Sequence, residues 1–160
     1  MIREIRVDDA AAICEIYNYY ILHSVATFEE IPVTEAEMSA RITQLTANSP
    51  WLVVEKDNKI IAYTYATAWR KRPAYRNTVE SSIYLHPDVK SKGIGTQLYR
   101  HLLTILKEKG YRTVIGGTTL PNEASVRLHE KLGFKKVAHF KEVGYKFKQW
   151  LDVGYWQLLL

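Results

Sequence analysis

The residues Val89-Lys90-Ser91-Lys92-Gly93-Ile94-Gly95-Thr96 stand between an alternating segment at 78–85 and an amphipathic segment at 97–109. A strand, a basic glycine-bearing loop and a helix start, in that order, make an anion site. The first turn of a helix leaves N–H groups without partners, and its dipole favours negative charge there. Glycines at 93 and 95 let the backbone close on a phosphate without Cβ interference. There is no Walker loop, and Leu98 stands where a dinucleotide fingerprint needs its third glycine. By themselves these residues define either a phosphate grip or a helix start with flexible glycines.

Two further residues have types suited to proton transfer. Glu80 lies in a strand among mostly neutral or apolar neighbours. It reads either as a base whose pKa burial would raise, or as an ion-pair partner of Arg72 or Arg76. His129 reads either as an acid or base near neutral pH, or as a packed histidine bonded to backbone. The other histidines (His23, His86, His101 and His139) are scattered without ligand spacing, so no metal is expected.

The elements that position these residues follow from the pattern. The chain has 160 residues, 47% hydrophobic and 24% charged, which is the composition of one globular domain spanning 1–160. The net charge of +5 is compatible with a polyanionic ligand and demands none. No apolar run approaches the roughly 18 residues of a membrane span. The start Met1-Ile2-Arg3-Glu4-Ile5-Arg6 lacks the apolar centre of a leader, and the one cysteine, Cys14, forms no internal disulfide. These features predict a soluble cytoplasmic protein.

Residues 2–6 predict a strand, and Asp8 a cap for a helix to Tyr20 with Ile13, Ile16, Tyr17 and Tyr20 on one face. Residues 25–33 predict a loop. Thr34 with Glu37 forms a capping box for a helix to Thr46. Strands follow at 51–56 and 59–69 around an Asp57-Asn58 turn, then a basic aromatic loop at 70–77 and a strand at 78–85. The helix at 97–109 keeps Leu98, Leu102, Ile105 and Leu106 on one face and ends at Gly110. A strand at 111–119, a turn at 120–122 and a helix at 123–132 stopped by Gly133 come next. Strands at 135–142 and 153–159 flank a loop at 143–152. The mixture predicts an α/β fold with a mixed sheet and helices on both faces.

The loop at 90–95 resembles the [QR]-x-x-G-x-[GA] pyrophosphate loop of the GCN5-related N-acetyltransferases. Asn122-Glu123-Ala124-Ser125-Val126-Arg127-Leu128-His129-Glu130-Lys131-Leu132-Gly133-Phe134 resembles a second segment of that superfamily. Asn18-Tyr19-Tyr20, Thr27-Phe28, Ala74-Tyr75, Thr78-Val79-Glu80-Ser81, Gly144-Tyr145-Lys146 and Trp150-Leu151-Asp152-Val153-Gly154 are similar to the phosphinothricin/methionine sulfoximine subgroup. The resemblance covers nearly the whole chain, from about Ile2 to Gln157.

The resemblance implies a mostly antiparallel central sheet splayed between its fourth and fifth strands, with acetyl-CoA as cosubstrate and a small amino-acid-like amine as acceptor. It implies that Ile83, Tyr84 and Leu85 offer backbone contacts to pantetheine. Lys90, Ser91, Lys92, Gly93, Ile94, Gly95 and Thr96 would hold pyrophosphate, and Asn122 would bond the cofactor from the opposite wall. Glu80 would assist deprotonation of the amine, and Phe28, Arg72 and Tyr75 would form the acceptor pocket. His129 stands where the wider superfamily usually has tyrosine. Arginines suit the acceptor because guanidinium matches carboxylate and phosphinate oxygens in pairs. The resemblance also implies a homodimer, with which an exposed apolar C-terminal strand at 155–160 would agree.

Two other functions remain at this level: acetylation of a different amine, and non-catalytic acyl-CoA binding. Nucleic-acid binding would need a longer basic stripe than 70–76. A membrane role finds no segment to carry it.

Overall fold

The computed structural model describes residues 1–89 and 93–160; Lys90, Ser91 and Lys92 lie outside the described residues. The elements run β1 (Ile2–Glu4), α1 (Ala10–His23), α2 (Glu35–Thr46), β2 (Trp51–Lys56), β3 (Lys59–Ala68), β4 (Thr78–Leu85), α3 (Ile94–Glu108), β5 (Thr113–Leu120), α4 (Glu123–Lys131), β6 (Lys135–Lys146) and β7 (Gln149–Leu159). Short 3₁₀ turns at Val7–Asp9 and Pro73–Tyr75 precede α1 and β4.

The strands form one seven-stranded sheet in the order β1-β2-β3-β4-β5-β7-β6. Every neighbouring pair is antiparallel except β4 and β5, which run parallel. That pair is joined over only three positions, Thr78↔Thr113, Val79↔Val114 and Glu80↔Ile115. Beyond Glu80 the two strands part, giving the expected V.

Alternation along the strands sorts the core onto two faces. Leu52, Val54, Ala62, Ala66, Val79 and Val114 meet the buried stripe Leu98, Tyr99, Leu102 and Leu106 of α3. Trp51, Val53 and Tyr63 meet Ile13, Ile16 and Ile21 of α1 and Met38 and Ile42 of α2 on the other face. Truncating a fully buried α3 residue such as Leu102 to alanine would cost about 2–5 kcal/mol. Thr34 caps α2 as expected: its hydroxyl accepts from Glu37 N at 3.2 Å, and the Glu37 carboxylate accepts from Thr34 N at 2.8 Å.

The structure corrects five expectations. Asp9, not Asp8, precedes α1, and its carboxylate accepts from Arg6 N at 2.7 Å and pairs with Arg3. The helix itself continues to His23. α3 starts at Ile94 rather than 97, directly after Gly93, whose φ of +99° is one that glycine adopts without penalty. The supposed loop at 143–152 is the turn end of a long hairpin, turned by Phe147 and Lys148 at φ +51° and +59°. Phe-Lys is not a turn signature, so composition hid it. Finally, the apolar C-terminal strand at 155–160 is not exposed along its length. It lies between β5 and β6, and its Trp156 is 2% exposed.

Candidate functional site

The V between β4 and β5 opens into a cleft of about 800 Å³. Of the residues singled out from sequence, Glu80, Ile83, Tyr84, Leu85, Gly95, Asn122 and His129 line it. Tyr17, Tyr20, Thr27, Met38, Arg41, Tyr65, Thr118 and Ser125 line it too, and sequence reasoning gave them no such role. For Tyr17 and Tyr20 the aromatic helix face was visible, but that pattern signals core packing as readily as a binding wall.

β4 supplies one wall. His86 N donates to Ile61 O at 2.8 Å, so the antiparallel register makes Tyr63 and Tyr84 a mutually bonded pair. Ile83 therefore turns its N–H and C=O away from β3, toward the side on which β5 has already departed. An extended amide-bearing chain would find an unpaired donor and acceptor there. Tyr84 presents its ring instead, packed 5.3 Å from Tyr63 and 5.4 Å from Tyr17. The Leu85 carbonyl is engaged by the Tyr20 hydroxyl at 2.7 Å.

The mouth of the V is closed by helix starts. The first turn of α3 carries Gly95, which packs against Ile83 and Leu85. Gly93, Ile94 and Thr96 stand at the same helix end but do not line the cleft. The residues present fit a phosphate-bearing ligand: a helix N-terminus beside a gap with unpaired strand groups. On the opposite wall Asn122 caps α4, its Oδ1 accepting from Ser125 N at 3.1 Å, which leaves its NH₂ as a donor.

Glu80 is half-buried, and its carboxylate has no hydrogen-bond partner among the described residues. Burial pushes its pKa up, and the positive charge of Arg70 opposes this only in part. The ion pair with Arg72 or Arg76 is not formed among the described residues. Arg70 lies over the Trp69 ring at 4.9 Å, and Arg76 donates to Pro73 O.

His129 is 4% exposed. Its Nδ1 lies 2.8 Å from the Ser125 carbonyl and its Nε2 3.3 Å from the Tyr99 hydroxyl. Burial holds its pKa below the ordinary value, the Ser125 bond countering this in part.

Phe28, Arg72 and Tyr75 do not line the cleft. Phe28, 42% exposed, packs on Gly144, while Arg72 and Tyr75 sit exposed at the 3₁₀ turn before β4. Among the described residues the cation that lines the cleft is Arg41, in a two-pronged pair with Glu29 at 2.7 and 2.9 Å. The Glu29 carboxylate also accepts from the Tyr17 hydroxyl.

No group of three potential metal ligands occurs among the described residues, and no helix there is long and apolar enough to cross a membrane.

A splayed mixed sheet with a glycine-started helix at the V and a half-buried carboxylate beside it defines an acyl-group transferase. Residues 2–154 match the family model of the acetyltransferase (GNAT) domain, and the chain belongs to that family. It is 39% identical to a phosphinothricin N-acetyltransferase of Streptomyces viridochromogenes over 98% of this chain and 85% of that protein. It is 36% identical to an L-methionine sulfoximine/L-methionine sulfone acetyltransferase of Salmonella typhimurium over 95% of this chain and 90% of that one. Among solved structures, a phosphinothricin acetyltransferase from Sinorhizobium meliloti in complex with acetyl-CoA superposes with a TM-score of 0.96 at 38% identity. That match covers 100% of this chain and 88% of that one.

Proposed function

We propose that this chain transfers acetyl from acetyl-CoA to the α-amine of a small amino-acid analogue, of the kind represented by phosphinothricin, methionine sulfoximine and methionine sulfone. The observation that carries the reading is Glu80: a carboxyl whose pKa burial raises, without a hydrogen-bond partner among the described residues, and set in the wall of the cleft into which the V opens. The names of the relatives support the acceptor class.

In the reaction the ammonium first gives a proton to Glu80, directly or through a water, because a charged amine has no lone pair. The nitrogen attacks the thioester carbonyl, a C–N bond forms and the C–S bond breaks. The nitrogen sheds its second proton as the amide forms, and the sulfur leaves as thiolate and takes up an equivalent proton on release. Ile83 and Asn122 would hold the pantetheine arm, and Gly93 to Thr96 with Lys90, Ser91 and Lys92 the pyrophosphate.

Phe28, Arg72 and Tyr75 are assigned to the acceptor by the family resemblance. Their position outside the cleft of one chain fits a site completed at a homodimer interface. Exposed Val137, Phe140, Val143, Tyr145 and Trp150 on the edge hairpin support such a pairing. Cytoplasmic residence rests on composition. Acetylation of a toxic amino-acid analogue would be a detoxifying step and would confer resistance to the herbicide phosphinothricin.

A thiol-release assay with acetyl-CoA tests the reading across phosphinothricin, methionine sulfoximine, methionine sulfone, common amino acids and spermidine. Turnover should concentrate on the first three. No turnover of any amino-acid analogue, with activity on spermidine, would replace this reading by acetylation of another amine. Binding without any turnover would leave the non-catalytic module.

A further inference from the structure

The β4–β5 ladder ends at Glu80↔Ile115, so Ser81 and Gly116 are the first residues past the vertex of the V. At that point a chain of side-chain hydrogen bonds takes over from the missing backbone pairing. Ser81 Oγ lies 2.5 Å from the Tyr99 hydroxyl, and that hydroxyl lies 3.3 Å from His129 Nε2. His129 Nδ1 lies 2.8 Å from the Ser125 carbonyl, and Ser125 Oγ lies 2.6 Å from Thr118 Oγ1 on β5.

The directions follow from the chemistry of the ends. A carbonyl only accepts, so Nδ1 carries a proton, and in the neutral ring that burial favours Nε2 presents a lone pair. Tyr99 donates to Nε2, and Ser81 donates to Tyr99 at 2.5 Å rather than to the Ile115 carbonyl, which lies 3.4 Å from the same hydroxyl. Every group in the series is satisfied, and a satisfied buried network fixes its members' positions. It crosses from β4 through α3 and α4 to β5, the elements that form the two walls of the V.

The surroundings are shaped for it. A Cβ at Gly116 would sit 2.3 Å from His129 Nε2, so only glycine lets the ring lie flat against β5. The rings of Tyr99, Phe134 and Trp156 enclose the imidazole at centroid distances of 5.5, 5.1 and 6.4 Å. The groups facing it are thus Tyr99 from α3, Gly116 from β5, Ser125 from its own helix, Phe134 and Trp156. None of these is charged; the nearest influences are Glu80, whose charge is felt at Tyr99, and Lys136 over the far Trp156 ring.

We propose that the chain Ser81–Tyr99–His129–Ser125 is a strut that sets the opening of the V, with Tyr99 and Ser81 as positioning residues for acetyl-CoA and His129 as a neutral, Nδ1-protonated member rather than a proton donor. The proposal rests on the reading that the V holds acetyl-CoA.

Two measurements test it. In the unliganded wild type, ¹⁵N NMR of His129 should show the neutral Nδ1–H tautomer as the main form from about pH 7 to 8. An Nε2–H or charged ring in that range overturns the strut. In Tyr99→Phe, the acetyl-CoA Kd measured by calorimetry should rise about tenfold, with kcat at saturating substrates falling much less. Where Tyr99→Phe fails to fold, Ser81→Ala removes only the terminal donor and should raise Kd in the same direction. Wild-type affinity in the folded variants overturns the proposal and leaves the enzyme reading intact. A wild-type chain that binds no acetyl-CoA overturns both, while the tautomer remains readable by itself.

Discussion

Lys146, near the end of β6, donates from its ammonium to the Thr27 carbonyl at 2.8 Å, joining residues 119 positions apart. A second bond of the same length goes to the Ser24 carbonyl. Lys146 is 1% exposed, and two residues before it Gly144 receives the Phe28 ring. The hairpin thereby holds the segment whose Thr27 lines the cleft. Burial lowers the amine's pKa, with Glu30 countering it in part. Deprotonation would not release the segment, since a neutral amine keeps two N–H donors for two carbonyls.

Replacing Lys146 by methionine keeps the stem and removes both bonds. The acceptor KM should rise about tenfold or more, since hydrogen bonds from charged groups contribute about 1.5–3 kcal/mol each. The acetyl-CoA Kd should change less, because the two Lys146 bonds hold the segment at 24–27 and neither reaches Ile83, Gly95 or Asn122. Steady-state kinetics with each substrate varied in turn would read the split. An unchanged acceptor KM would separate this segment from the acceptor.

Glu80→Gln bears on the base. The expected loss of kcat is about 10²–10⁴-fold with acetyl-CoA binding nearly intact. In the wild type, kcat/KM should fall as pH drops through the raised carboxyl pKa, and the variant should lack that limb. Stability gives an independent check. A carboxyl raised on folding favours the protonated state, so its ionisation costs stability as pH rises through the folded pKa. The glutamine variant should therefore melt higher than wild type at neutral pH, and the gain should shrink in acid. A variant with a normal acid limb excludes Glu80 as the base.

Two glycine substitutions should differ in cost. A methyl at Gly116 meets His129 Nε2 at 2.3 Å inside an enclosed ring cluster, whereas a methyl at Gly144 meets the Phe28 ring at the same 2.3 Å but at a residue 42% exposed. Gly116→Ala should lose about 1–3 kcal/mol as an overpacked core does. Gly144→Ala should lose less, because Phe28 can swing into solvent. Chemical denaturation of the pair would rank them, and equal losses would show that Phe28 is held as firmly as His129.

The Arg3–Asp9 pair, two parallel bonds of 2.8 Å with side chains 14% and 10% exposed, ties β1 to the start of α1. Its hydrogen bond to Arg3 holds the Asp9 carboxyl below the usual carboxylate pKa, against some desolvation. A lowered folded-state pKa gives stability that is present above the unfolded value and lost as pH falls through the folded one. Asp9→Asn should cost about 1–3 kcal/mol at neutral pH. Denaturation curves of wild type and variant should converge in strong acid, and a gap that persists there would assign the loss to packing.

The capping box at Thr34, the Asp57-Asn58 turn and the α3 stripe were legible because each is a local pattern with a local cause. The hairpin turn at Phe147-Lys148 was not, since its positive φ angles are imposed by strand pairing rather than by residue preference. Asp8 and Asp9 are equivalent as letters; only Arg3 on the neighbouring strand selects between them. Glu80, Asn122 and His129 were named from motifs along the chain, and the fold brings all three to the wall of one cleft. Arg41 and Thr27 escaped because nothing local separates them from an ordinary helix face and loop.

The sequence by itself determined the element order, the phosphate-loop motif, the candidate base and the family. Tertiary structure decided what each group can do. The parting of β4 from β5 after Glu80 frees the Ile83 backbone, and the Ser125 carbonyl commits the His129 proton to Nδ1. Lys146 becomes a clamp only because the hairpin folds over the segment carrying Thr27. Motifs record residue types along one dimension, whereas hydrogen bonding and burial depend on partners that distant segments bring.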